Sequence, residues 1–117
     1  MKQKWIMVAG PYRGGASNEK ERQANLDFLN KAAYEVFKKG HIPIIGVNVA
    51  LPIIKVMGDN HYDEIMMPIC LPLIEKCDAV LRIGGESQGA DQEVEKFAAR
   101  GLPVYLSIEE VPVAIII

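Results

Sequence analysis

The feature that most constrains this chain is its alternation. Four short apolar runs take turns with longer stretches of helical spacing, and the joins carry Gly and Pro. "WIMVAG", residues 5 to 10, is an apolar run closing on Gly10-Pro11 and reads as a buried first strand. "IPIIGV" (42–47), "DAVLRIG" (78–84) and "LPVYLS" (102–107) read as three more. Between them, "SNEKERQANLDFLNKAAYEVFKKGH" (17–41) spaces Leu26, Leu29, Ala33 and Val36/Phe37 along one helical stripe. Asn18 and Glu21 suit a capping box, and Lys38, Lys39 and Gly40 suit the far end. "YDEIMMPICLPLIEKC" (62–77) keeps helical spacing despite Pro68 and Pro72, with Pro68 as a kink or as the proper start. "GADQEVEKFAARG" (89–101) is a helix ending at Gly101. Residues 47–61 contain Pro52, Gly58 and Asp59-Asn60, which predict a long connection with at most a short helical turn.

Strands alternating with helices predict a parallel sheet with both faces covered. With right-handed crossovers this is a small Rossmann-like or flavodoxin-like α/β fold of four to five strands. At 117 residues, half of them hydrophobic, the chain suits one compact domain with a real core. Ligands of such sheets sit outside the carboxyl ends of the strands, so the loops at 10–18, 46–61 and 84–92 are where chemistry is expected.

The charge pattern narrows the partners. Net charge is −2 and neither sign forms a block, which argues against nucleic acid or an anionic membrane as the main partner. Cys70 and Cys77 lie about 10 Å apart if they share a helix, too far for a disulfide, and read as buried reduced thiols of a cytoplasmic protein. His41 and His61 have no Cys-x-x-Cys near them, so no metal site and no cofactor is expected. The apolar run after Lys4 is too short for a signal peptide or membrane span. His41 reads as a helix C-terminal residue and Trp5 as core or edge packing. The terminal "VPVAIII" is costly to leave in water, and predicts a homo-oligomer in which it joins residues 62–76 across an isologous interface, with capping of the monomer's own core as the alternative.

Two loops carry the chemistry. In "GPYRGGASN", Gly10, Gly14 and Gly15 let backbone N–H groups approach an anion, and Arg13 adds a fork of donors. The loop is neither a dinucleotide fingerprint nor a P-loop, and a structural turn with a solvated Arg reads equally well. Tyr12 suits stacking on a base or sugar, or packing on its own scaffold. In "GGESQGADQEVE", Ser87 suits an oxyanion, Gly89 a close backbone approach, and Glu93 a place in the first helical turn facing the same crevice. Asp91 and Glu95 are expected to be solvated neighbours, and the whole cluster could simply complement a helix dipole.

"GPYRGG", "CDAVLRIGG" and "SQGADQEVEKFAARGLPVY" together resemble the nucleoside 2-deoxyribosyltransferase-like superfamily, which includes deoxynucleoside 5′-monophosphate N-glycosidases. The resemblance implies that Glu93 corresponds to the catalytic glutamate and that Ser87 and Gly89 contact phosphate. It also implies that Gly10, Pro11, Tyr12, Arg13, Gly14 and Gly15 surround sugar and phosphate. A carboxylate beneath C1′ can stabilise an oxocarbenium ion or form a glycosyl ester while the base leaves protonated. Where the superfamily often carries an Asp, this chain has Cys70, and where the glycosidases carry a His it has Gly46, Val47 and Asn48, of which Asn48 is the candidate substrate contact. Asp59, Asp63 and Glu64 are possible sources of an acid. The implied ligand is a small-molecule nucleoside or nucleotide. Two other readings stand beside a glycosidase or transferase: a phosphoribohydrolase of the lonely-guy type, whose Gly also lies four residues before a Glu, and a non-catalytic nucleotide-binding module.

Overall fold

In a computed structural model, which describes residues 1–115, four parallel strands form one sheet in the order β2-β1-β3-β4. These are β1 (Trp5–Ala9), β2 (Ile42–Ile44), β3 (Ala79–Arg82) and β4 (Val104–Tyr105). The helices are α1 (Glu19–Lys38), α2 (Gly46–Met57), α3 (Tyr62–Leu73) and α4 (Gln88–Ala99). The architecture is the α/β class that the alternation predicts. No described helix is long and apolar enough to cross a membrane.

The alternation of side chains along β1 divides the core in two. Ile6 and Val8 pack with Leu26, Leu29 and Val36 of α1 on one face of the sheet. Met7 and Ala9 pack with Ala90 and Phe97 of α4 and with Ile74 and Cys77 on the other. Both faces are therefore covered, as period-2 alternation in a parallel sheet requires. A third cluster joins Ala50 and Ile54 of α2 to Met66 and Cys70 of α3. Both thiols are buried and free.

α1 begins as its sequence indicates. The Asn18 side chain accepts from the Glu21 N–H at 2.8 Å, while the Glu21 carboxylate accepts from the Ser17 N–H at 3.1 Å. Val36 is fully buried and its neighbour Phe37 is exposed, which settles which of the two carries the stripe.

The connection expected at 47–61 is instead largely helix α2. Its buried residues Ala50, Leu51 and Ile54 recur at helical spacing, and packing on α3 outweighs Pro52. α3 likewise runs through Pro68 and Pro72 rather than starting at Pro68. A proline removes the hydrogen bond to the carbonyl four residues earlier. Here Asn48 and Pro52, and Glu64, Pro68 and Pro72, all lie on exposed faces, so water takes the freed carbonyls. All three prolines fall where they cost least.

Two residues that read as ordinary turn features hold the chain end. His41 is fully buried, not a simple cap. Its Nδ1 accepts from the Lys4 N–H at 3.0 Å, which places the ring proton on Nε2, and Nε2 donates to the Pro112 carbonyl at 2.7 Å. Lys39 Nζ donates to the carbonyls of Ile108 and Val111. Within "VPVAIII", Val111 and Ala114 are thus buried in their own chain, Val113 and Ile115 are exposed, and residues 116 and 117 lie outside the described residues. Trp5 sits half-exposed at the amino-terminal end of β1, an interior strand.

Candidate functional site

The chain leaves β1 toward β2 on one side and β3 toward β4 on the other, so the strand order reverses between β1 and β3. Two adjacent carboxyl ends open there, which is where parallel α/β sheets place ligands. The loops leaving those ends lie against each other. A Cβ on Gly10 would stand 2.5 Å from the Ile83 carbonyl oxygen, and one on Gly14 would stand 2.7 Å from that of Glu86. Only glycine allows this approach at either position.

Above the loops is a cavity of about 610 Å³. Its walls come from the β1–α1 loop, the start of α4, the first turn of α2 and the inner face of α3. Gly10, Tyr12, Arg13, Gly14, Gly15, Ser87, Gly89 and Glu93 all line it, so eight of the ten residues singled out from the sequence meet in one place. Pro11 packs beside Gly84 behind the loop. Asn48 faces away: its amide donates to Asn30 of α1 at 2.8 Å.

Glu93 is the centre of the site. It lies in the second turn of α4, not the first, on the buried stripe Ala90-Glu93-Phe97. It is 9% exposed, and no described residue donates a hydrogen bond to its carboxyl. Burial pushes its pKa up from 4.5 to about 7, against the smaller opposing pull of the Arg82 guanidinium. Near neutrality the group is therefore divided between acid and carboxylate. Glu95 points to solvent.

Arg82 is a residue that sequence reading passed over. Its Nε donates to Asp91 Oδ1 at 3.1 Å, and its terminal nitrogens donate to the carbonyls of Ile83 at 2.6 Å and Gly85 at 2.7 Å. One side chain thus fastens the Gly84-Gly85 turn to the start of α4. Asp91, expected to be merely solvated, is its ion-pair partner while remaining mostly exposed. Ser87 caps the same helix, accepting from the Ala90 N–H at 3.1 Å, which leaves its O–H free to donate. The N–H groups of Gln88 and Gly89 open the helix and have no partner within it.

The opposite wall is softer. The Arg13 guanidinium lies 3.4 Å from the centre of the Tyr62 ring, a cation–π contact that ties the first loop to α3. Met66, Met67 and Cys70 continue that wall, and Cys70 Sγ sits 3.6 Å from Met66 Sδ. Burial, then the Glu93 charge, pushes the Cys70 thiol up to about 12. It stays protonated at neutral pH and is no nucleophile. Of the candidate acids on this side, Asp63 lines the cavity, Glu64 pairs with His61 at 2.7 Å, and Asp59 is exposed outside it. Tyr62, Met66 and Met67 gave no sequence signal beyond helical spacing, because nothing local says that α3 faces the first loop.

Fold and site define a small parallel α/β domain with a cavity at its strand-order reversal and a buried carboxyl in its lining. A family model for DUF1937, a domain of unknown function, matches residues 4–109, and the chain belongs to that family. No curated protein matches it.

Proposed function

We propose that this protein cleaves the base–sugar bond of a nucleoside or nucleoside 5′-monophosphate, as an N-glycosidase or 2-deoxyribosyltransferase, with Glu93 as the catalytic carboxylate. The observation that carries the reading is Glu93 itself: buried, without a hydrogen-bond donor, and aimed into a cavity at the carboxyl edge of β1 and β3. Its carboxyl oxygens open to that cavity, since no sealed side-chain oxygen among the described residues lacks a partner, whereas a structural carboxyl is normally paired when buried. An unpaired one beside a cavity is matched to a ligand, here the positive charge that develops at C1′ as the base departs.

The residues divide the work. The N–H groups of Gln88 and Gly89, with the Ser87 hydroxyl, suit a phosphate or sugar oxygen at the start of α4. Arg13, stacked on the Tyr62 ring, suits the same anion from the other loop. Ionised Glu93 then supports C1′ electrostatically or bonds to it, and a water or a second base completes the exchange. Asp63 and Glu86 are the further carboxyls on the cavity wall from which the departing base could take its proton. Partners in this reading are a small-molecule nucleoside or nucleotide and a second copy of the chain.

One observation favours a non-catalytic nucleotide-binding module: Cys70, a neutral thiol, occupies the place of the superfamily's Asp. Incubating the protein with ribo- and 2′-deoxyribonucleosides and their 5′-monophosphates, with free base followed by chromatography, separates the readings. Base release that is lost in Glu93→Gln supports the enzyme. Saturable binding of a monophosphate without any base release supports the module. Release of ribose 5-phosphate from ribonucleotides alone would move the assignment to a phosphoribohydrolase.

A further inference from the structure

Glu93 is buried in the cavity lining with no second buried acid beside it among the described residues. That matters for the leaving group. Breaking the bond from C1′ to an uncharged base sends the bonding pair to a ring nitrogen, which departs as an anion unless an acid protonates it. Glu93 cannot fill both roles, since the carboxylate that meets C1′ has no proton to give in the same step. The other proton-bearing groups of the lining hold theirs tightly. Burial pushes the Cys70 thiol up to about 12, and burial likewise raises the Tyr12 and Tyr62 hydroxyls. Asp63 and Glu86 line the cavity but are exposed, so water competes with a bound base for any proton they carry. The site is well supplied with negative charge and poorly supplied with protons.

The charge of the lining agrees. Among the described residues it sets three carboxyls, of Asp63, Glu86 and Glu93, against one guanidinium, that of Arg13. Arg13 is exposed on the first loop and already stacked on the Tyr62 ring. The inner wall of Met66, Met67 and Cys70 adds no cation. Its sulfurs are polarizable weak acceptors, suited to the positive edge of a flat ring. Such a cavity complements a positively charged ring better than a neutral one.

We propose that the substrates of this site are N-glycosides of a positively charged base, of the pyridinium or N7-alkylpurine kind, as nucleosides or 5′-monophosphates. The proposal rests on Glu93 as the carboxylate facing C1′ and adds the class of leaving group. When the bond from C1′ to the ring nitrogen breaks, its electron pair neutralises the ring, and the base departs uncharged without taking a proton. The positive charge passes to C1′ and the sugar ring oxygen, where the Glu93 carboxylate meets it or bonds to C1′. Water then adds its oxygen to C1′, displacing Glu93 where an ester has formed, and gives one proton to solvent. The products are a neutral base, a free sugar and that proton. Before cleavage, the charged ring also favours the ionised form of Glu93 that the step requires.

Nucleotide pairs that differ chiefly in ring charge test this on the wild-type protein. Nicotinamide mononucleotide is compared with its reduced, uncharged form. 7-Methylguanosine 5′-monophosphate is compared with guanosine 5′-monophosphate, each with a ribose and with a 2′-deoxyribose. Free base is followed by chromatography and corrected for hydrolysis without protein. The charged member of at least one pair is expected to show a kcat/KM at least about 100-fold above its uncharged partner, the scale of the acid assistance that it does without. Glu93→Gln, checked for an unchanged circular dichroism spectrum, is expected to lose that release. Equal release from both members of every pair, or faster release from the uncharged ones, would overturn the proposal and leave base–sugar cleavage by Glu93 standing. Release from none of them would also overturn it, and the panel of uncharged nucleosides and monophosphates described above then decides separately whether the reading of Glu93 falls as well.

Discussion

The two walls of the cavity are built on opposite principles. The α4 wall is held by polar contacts that its own sequence neighbourhood supplies: the Ser87 cap, the Arg82 fork to Ile83, Gly85 and Asp91, and the glycines that let the loops touch. The α2–α3 wall has no side-chain cap at either helix start and carries three internal prolines. It stands because Ala50, Ile54, Met66 and Cys70 interlock. The first wall is preorganised locally and presents an acid. The second is assembled by packing and presents a soft, apolar surface. In the proposed reaction the chemistry falls to the polar wall, and the apolar wall is left for the less polar part of the substrate.

That contrast is broken most strongly through Glu93. Glu93→Gln is expected to lower base release by roughly two to four orders of magnitude, because the lost interaction is made in the transition state. Glu95→Gln, on the solvent side of the same helix, should stay within about twofold of wild type. Equal small losses in steady-state assays of both variants would reduce the cluster to helix-dipole electrostatics.

The same substitution should stabilise the fold at high pH. The Glu93 pKa rises on folding from 4.5 to about 7, so folding favours its protonated form. The associated stability is fully present below about pH 4.5 and is lost as pH climbs through 7, a difference worth about 3 kcal/mol. Glu93→Gln has nothing to lose. Denaturant melts should show the variant level with wild type near pH 4, and gaining on it up to about pH 8. An advantage that does not grow with pH would mean the carboxyl is not desolvated.

The packed wall is probed at Gly46. A Cβ there would lie 2.5 Å from Cys70 Sγ, inside the contact between α2 and α3. Gly46→Ala should cost about 1–3 kcal/mol in denaturant unfolding through overpacking. A neutral result would show that the two helices part easily.

The smallest expected effect comes from Arg82. Replacing it with Met removes the charge that pulls the Glu93 pKa down, so the Glu93 midpoint should move upward. Arg82→Lys should restore much of the charge effect while losing the fork to the Ile83 and Gly85 carbonyls. A midpoint unmoved by Arg82→Met would confine Arg82 to holding the turn.

The same division explains what could be read from the chain alone. Strands β1 and β3, the capped helix α1, and the loops around Arg13 and Ser87 announce themselves through apolar runs, capping residues and glycines, all of which act over a few residues. Glu93 was legible as a candidate by position, but its burial was not, since only the third dimension brings Phe97 and Ala90 around it. α2 was illegible because Pro52 and Gly58 speak locally for a loop, while the evidence for helix lies in contacts with α3. Asn48 went astray for the same reason: in a loop it would have pointed at the crevice, but in a helix it turns toward Asn30. Arg82 gave no motif, since its hydrogen bonds reach backbone carbonyls that any sequence supplies.

The most direct measurement is a carbon-13 carboxyl titration of Glu93, assigned by comparison with Glu93→Gln, with and without a panel of nucleoside 5′-monophosphates. A midpoint near pH 7 in the free protein, moved by at least one of these ligands, is the result expected for a buried, unpaired carboxyl facing the ligand. A midpoint near 4.5 that no nucleotide shifts would contradict it, and would return Glu93 to the ordinary solvated acids of a helix.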